Sequence, residues 1–142
     1  MISTELAARL RDAGLVWRPA DGDRFRIDAL EPTADVFTVS TMTIEAHDYP
    51  TGTILGFNGT TEWALDSVAV EDALWLPRED QLRELLRSTF RGLTRTTAQG
   101  PHGEEEAYEV EVELLGEPRT FTDADPAEAY GAALLALVEL SS

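Results

Sequence analysis

Few side chains in this 142-residue chain could do acid–base or nucleophilic chemistry. His47, one of only two histidines, lies in Glu-Ala-His47-Asp48, where the carboxylate of Asp48 could orient the ring for general base catalysis. Ser40 or Ser67 could then act as the nucleophile. The chain has no Gly-x-Ser-x-Gly elbow to position such a serine. We therefore predict that the chain is not an enzyme. A small hydrolase or transferase using His47 and nearby carboxylates is the alternative.

Two residue types that support much of protein chemistry are missing. There is no cysteine, which excludes disulfides, thiol nucleophiles and thiolate zinc sites. There is no lysine, which excludes Schiff-base chemistry and the lysine of a phosphate-binding loop. No His-Glu-x-x-His pair, Rossmann glycine fingerprint or Walker A motif occurs. The acidic segment Glu104–Glu106 does not match a calcium loop. We expect no cofactor and no bound metal.

A run of arginines is the feature that structural roles explain least. These residues recur every four positions: Arg83, Arg87, Arg91 and Arg95. Residues 104–142 contain eleven acidic residues and one arginine, so acidic and basic residues are unevenly distributed along the chain. One interpretation pairs the arginines with glutamates of the strand that follows. The other makes them a stripe that binds an acidic protein partner or a phosphate, since guanidinium groups bind such oxygens in pairs.

The formal net charge of −16 restricts the partners. Nucleic acid and anionic membrane are poor partners, because contact with phosphate requires cationic side chains. We predict a protein partner, and an acidic decoy or immunity-like protein is a further alternative. The first ten residues lack the basic and apolar regions of a signal peptide, and the sequence has no run of about 20 apolar residues, so we expect a cytoplasmic protein.

The first half of the chain predicts a helix followed by strands. The helix begins at Ser3 or Thr4 and ends at Gly14. Strands are predicted at Arg24–Asp28 and Val36–Ala46. A tight hairpin follows, with Asn58-Gly59 as its turn between Thr53–Phe57 and Thr60–Leu65.

The segment ALWLPREDQLRELLRSTF, residues 73–90, joins a buried strand to a helix. Trp75 and Leu76 are predicted to end the strand, and Pro77 suits the first turn of the helix. The predicted buried face of that helix consists of Leu82, Leu85, Leu86 and Leu93.

The last third of the chain predicts a loop, two strands and a helix. We expect a mobile loop near residues 94–103, and a strand over 108–114 in which apolar residues alternate with glutamates. After a turn at Gly116-Glu117-Pro118, the final helix is capped by Asp125. Because this helix is apolar on most sides, either the fold sandwiches it or a second copy covers it, giving a homodimer through residues 126–140.

Together these elements predict a single α+β domain over residues 1–142. Its architecture is one antiparallel sheet of about five or six strands with three packed helices, because the strands are grouped instead of alternating with helices.

Three segments carry a resemblance to a known family: Trp75-Leu-Pro-Arg-x-x-Gln81-Leu82, Gly52–Asp66 and Asp125-Pro-x-Glu128-Ala. In these segments the chain resembles short actinobacterial proteins without established function, some of which carry a pilus-assembly name. The pilus protein of that name resembles the ParA/MinD ATPases, which need a glycine-rich phosphate loop with lysine. This chain has neither, so the resemblance implies no catalytic residue. We predict a non-catalytic acidic binding or accessory protein, and the resemblance alone suggests a link to pili.

Overall fold

A computed structural model describes residues 1–27, 36–39, 44–49, 52–57, 67–69 and 73–141. The chain divides into two compact units, one formed by Met1–Leu15 with Arg78–Ser142 and the other by Val16–Pro77. The α+β class is confirmed, with three α-helices and antiparallel strands in the described parts. The prediction of one domain over 1–142 stays a prediction.

The Val16–Pro77 unit contains a three-stranded antiparallel sheet with an aromatic core. Its strands are β1 (Arg24–Ile27), β2 (Phe37–Thr38) and β6 (Ala73–Trp75), in the order β2-β1-β6. Phe25 on β1 is fully buried and pairs across the sheet with Phe37 and Trp75. The Trp17 ring lies against Phe25, with their centroids 5.5 Å apart.

A buried carboxylate fixes the chain that leads into β1. Asp23 is 3% exposed and accepts hydrogen bonds from the Trp17 indole N–H at 2.9 Å and from the Ala20 backbone N–H at 3.0 Å. These bonds give a buried charged group the partners that it requires. Asp23 thereby holds Trp17 close to the aromatic core.

A second antiparallel sheet in the same unit has the order β3-β4-β5, with β3 Ile44–Tyr49, β4 Gly52–Phe57 and β5 Ser67–Ala69. The strand predicted at Thr53–Phe57 is confirmed as β4. The Asn58-Gly59 turn and the strand Thr60–Leu65 lie outside the described residues. The single strand predicted over Val36–Ala46 was wrong, because Phe37–Thr38 and Ile44–Tyr49 belong to different sheets.

The other unit packs helices on a third antiparallel sheet. Its strands are β7 (Phe90–Gly100), β8 (Gly103–Leu114) and β9 (Glu117–Asp123), and its helices are α1 (Thr4–Ala13), α2 (Glu79–Leu86) and α3 (Pro126–Ser141). The alternation predicted for 108–114 is confirmed, since Val110, Val112 and Leu114 are buried. The described strands thus form three three-stranded sheets, where we predicted one sheet of five or six strands.

The loop predicted near 94–103 was also wrong in its secondary structure. Residues 94–100 belong to β7, and only Pro101 and His102 form the turn before β8. The two strands pair from Phe90 with Val112 to Gly100 with Gly103. Strand β9 pairs with Tyr108–Leu114, so the part of β8 near the turn has β7 as its one neighbour among the described strands. The polar residues that suggested a loop are the exposed residues of this ribbon.

Local hydrogen bonds set both ends of α1 and the start of α3 close to where the sequence predicts them. The Ser3 hydroxyl accepts from the Leu6 N–H at 3.1 Å and caps α1, and Gly14 ends it at φ 118°. The Asp125 carboxylate accepts from the Ala127 N–H at 2.9 Å and caps α3. Caps of this kind depend on residues two or three positions apart.

Helix α3 is the central helix of its unit. It packs against α1, α2, β8 and β9. Its buried residues run from Ala127 to Leu135, whereas Leu140 is 47% exposed. The fold therefore encloses most of this apolar helix, and only its carboxyl-terminal part stays accessible. In the described parts of the chain, no helix combines the length and hydrophobicity needed to cross a bilayer.

The turn between β8 and β9 predicts a stabilising substitution. Leu115 has φ 53° and Gly116 has φ 79°, the positive pair of a type I′ turn, which favours Asn-Gly. Leu115→Asn is expected to raise the free energy of unfolding by about 1 kcal/mol, because asparagine tolerates positive φ better than leucine. Urea denaturation measures the change. Leu93→Asn, at an exposed leucine within β7, is the control and should not stabilise. Equal effects of the two changes would show that φ is not the cause.

Candidate functional site

Strand β6 and helix α2 are joined as the sequence predicts, with one difference. Trp75 ends β6, and the Leu76 N–H donates to the carbonyl oxygen of Arg24 at 2.8 Å. Helix α2 begins at Glu79 with Arg78 as its N-cap, so Pro77 precedes the helix and does not lie in its first turn. The Arg78 N–H donates to the Gln81 side chain at 2.9 Å. This bond fixes the start of α2 and thereby the direction of its outer face.

The arginine stripe does not lie on one helix face. Helix α2 ends at Leu86, so Arg83 is in the helix and Arg87 is in the 3₁₀ turn Arg87–Thr89. Arg91 and Arg95 are on β7, whose period is two residues instead of 3.6. Because the helix gives way to a strand, the predicted buried face is also corrected. Leu82 and Leu86 are buried, but Leu93 is 41% exposed on β7.

Two of the four arginines pair with glutamates of the neighbouring strand. Arg91 forms an ion pair with Glu113. The Arg95 Nε lies 3.0 Å from the Glu106 carboxylate, and both side chains are largely exposed. Such exposed pairs contribute about 0–1 kcal/mol each. The interpretation of internal pairing therefore holds for Arg91 and Arg95.

The other two arginines line an open groove between α2, the start of β7 and α3. We call it the Arg83–Arg87 groove, and its volume is about 780 Å³. Its lining consists of Glu79, Asp80, Arg83, Glu84, Arg87, Phe90 and Tyr130. The Arg83 guanidinium lies over the Phe90 ring, 4.6 Å from its centroid. The Phe90 and Tyr130 rings lie 5.9 Å apart, so the groove combines two cations with an aromatic floor.

Arg87 occupies a backbone conformation that suits glycine. Its φ is 52° and its ψ is −131°, in the left-handed half of the backbone map. A residue with a side chain held there costs about 1–3 kcal/mol. Strained residues of this kind cluster in proteins at active sites, ligand clamps and switch regions. Here the strained residue is an exposed arginine at the edge of the groove.

Tyr130 keeps its proton at neutral pH. Burial raises the pKa of the Tyr130 hydroxyl above its usual value of 10.0, although the nearby Arg83 charge acts in the opposite direction. The neutral phenol can therefore donate a hydrogen bond into the groove. Asp80 on the same rim has a lowered pKa because its carboxylate accepts a hydrogen bond from Arg78. That carboxylate stays charged, but Arg78 partly neutralises it at 3.1 Å.

The candidate residues for an enzyme remain without a described site. His47 and Asp48 lie on β3, where their backbones pair with Ile54 and Thr53. His102 is exposed in the turn between β7 and β8. In the described segments, no cluster of three or more histidines and carboxylates could hold a metal ion.

Comparisons of the chain with protein-family models, with curated proteins and with solved structures gave no match. The candidate site therefore rests on the residues of this chain alone.

Sequence reasoning found the arginines of the groove but missed its aromatic floor. Phe90 and Tyr130 are forty positions apart, and it is the packing of α3 in its unit that brings them together. One local signal was present: Tyr130 is the only aromatic residue of α3. A buried tyrosine usually places its hydroxyl near a polar surface.

Proposed function

We propose that this chain is a non-catalytic binding protein whose Arg83–Arg87 groove receives a protein partner through an acidic side chain. Arginine, tyrosine and phenylalanine are enriched at protein interfaces, and arginine and tyrosine also at their energetic hot spots. A carboxylate of the partner can accept from the two guanidinium groups, while an adjacent apolar group packs on Phe90.

The observation that carries this proposal is the strained backbone of Arg87. Glycine would relieve the strain, whereas arginine supplies a second guanidinium to the groove that Arg83 also lines. Arg83 itself stacks on Phe90, which preorganises its fork and reduces the entropy lost on binding. The acidic rim residues Glu79 and Glu84 then favour a partner whose acidic group is flanked by basic ones.

Arg87→Gly separates binding from stability. The substitution is expected to raise the free energy of unfolding by about 1 kcal/mol, because it removes strain at φ 52°. It should also weaken capture of the partner from a lysate of the source cells about tenfold, because one guanidinium is lost. Urea denaturation and quantitative mass spectrometry of the captured proteins measure the two effects.

Arg83→Glu should weaken capture at least as much, and Arg95→Glu is the matched control. Arg95 is an exposed arginine of the same run, but it pairs with Glu106 outside the groove. A protein captured equally by the wild type and all three variants does not use the groove. If no protein is captured by the wild type above the double variant Arg83→Glu, Arg87→Gly, the proposal is wrong.

A further inference from the structure

A second groove lies on the face of helix α3 that is opposite Tyr130. It is formed by α1, β9 and the carboxyl-terminal part of α3. We call it the α3 groove, and its volume is about 560 Å³. It shares no residue with the Arg83–Arg87 groove. Its floor is apolar, with Leu6 from α1, Phe121 from β9 and Leu135 from α3.

The accessible part of α3 meets the conditions for close contact with another helix. Ala132 and Ala136 are four positions apart and line the groove, so they form a shallow surface along α3. Leu140 lines the same groove and is 47% exposed. An exposed leucine beside an apolar groove is the arrangement that a protein contact covers.

The charges at the rim are self-complementary. Arg9 and Arg119 contribute two positive charges and Glu139 contributes a negative one. The Arg119 guanidinium stacks on Phe121, 5.2 Å from the ring centroid. Neither arginine forms an ion pair within the residues that the structure describes. In an interface with two-fold symmetry, each contact between two different residues of the patch occurs twice.

We propose that the α3 groove binds a second copy of this chain, with Leu140 of each copy in the groove of the other and Glu139 of each copy against Arg119 of the other. This arrangement places opposite charges against each other at both contacts between Arg119 and Glu139. An amphipathic carboxylate of low molecular weight would pair with the arginines but would place its own negative charge near Glu139. The second copy is therefore the better occupant, and the inference does not depend on the proposed function.

The test reverses the charges of Arg119 and Glu139 in separate variants. Sedimentation equilibrium over a wide range of concentrations measures the dimer Kd of each. Wild-type chain is expected to dimerise, and Arg119→Glu or Glu139→Arg should each raise the dimer Kd at least about tenfold, because each change creates two repulsive contacts. An equimolar mixture of the two variants should form a heterodimer with a Kd within about threefold of the wild-type value, since both contacts again join opposite charges. Recovery of dimerisation in the mixture requires that positions 119 and 139 of different copies lie in contact.

Two further variants complete the experiment. Leu140→Asp, at an exposed position, should weaken the dimer without unfolding the chain. Arg11→Glu is the control. It reverses the charge of an arginine on α1 that does not line the groove, so it should leave the dimer Kd unchanged. A monomer at every concentration overturns the proposal, as does a dimer that the groove variants do not weaken or a mixture that shows no rescue. Binding of laurate to a monomeric chain would assign the groove to a small amphiphile instead.

Discussion

Replacing Leu82 with alanine is expected to lower the free energy of unfolding by about 2–5 kcal/mol. Leu82 is fully buried on the inner face of α2, which packs against α3. The change removes apolar contacts and leaves a cavity that the neighbouring helices only partly fill. Because whole domains are stable by about 5–15 kcal/mol, this single substitution removes a large share of the total.

Urea denaturation followed by far-ultraviolet circular dichroism measures this loss, and Leu85→Ala is the matched control. Leu85 lies on the same helix but is only partly buried, so its truncation should cost clearly less. The Leu82 variant should also lose partner capture, since α2 carries Arg83. Equal costs for the two leucines would show that Leu82 does not anchor α2. The contrast with Arg87→Gly, which should weaken capture while raising stability, separates loss of the groove from loss of the fold.

Phe25→Ala is the second substitution expected to have a large effect, with a loss of about 3–5 kcal/mol. The Phe25 ring is fully buried and lies 5.5 Å from both the Trp17 and the Phe37 rings, measured between centroids. Among the rings of the described residues, Phe25 thus links Trp17 to Phe37. Its removal should therefore reduce the stability of the Val16–Pro77 unit more than the loss of any single surface contact.

The spectroscopic signals of this variant also test the prediction of one domain. All three tryptophans of the chain lie within the range Val16–Pro77, whereas α1, α2 and α3 belong to the other unit. If the chain unfolds as one domain, tryptophan fluorescence and helical circular dichroism should shift to lower urea together. A shift of the fluorescence alone would show two independently unfolding units. Val39→Ala, a smaller change in the same buried cluster, should move the same signals by less.

The features that the sequence predicts well are local ones. The caps at Ser3, Gly14 and Asp125 depend on hydrogen bonds or φ values within a few residues, and all three are found where predicted. Alternation of buried and exposed residues in β8 is likewise a property of one strand. Such features need no knowledge of what the element packs against.

The partition of the strands into sheets could not be predicted, because it depends on which strands pair. Phe37–Thr38 and Ile44–Tyr49 look like one β-branched segment, but the first pairs with β1 and the second with β4. The end of α2 at Leu86 was missed for a similar reason. Leucines and arginines continue at helical spacing beyond it, yet the chain from Phe90 onward gains the long pairing with β8. A non-local sheet therefore overrode a local periodicity.

The candidate site was predicted only in part, because some of its features are local in the sequence and others depend on how the elements pack. The spacing of the arginines identified Arg83 and Arg87 as candidates, and the surplus of glutamates in the next strand correctly indicated partners for Arg91 and Arg95. The aromatic floor and the strain at Arg87 arise only when the helix ends and the sheet begins.

The hairpin of β7 and β8 has two halves that differ in how readily they open. From Tyr108 to Val112, β8 has hydrogen-bonded neighbours on both sides, and its buried residues pack against α3. From Gly103 to Glu106 it has one neighbour among the strands that the structure describes, and its side chains are exposed, so little apolar area resists local separation of the strands. Backbone amide protons should therefore exchange with solvent in a gradient, fastest beside the turn at His102 and slowest near Val112. The conformational freedom that the sequence predicts for a loop is therefore expected at the end of a two-stranded ribbon.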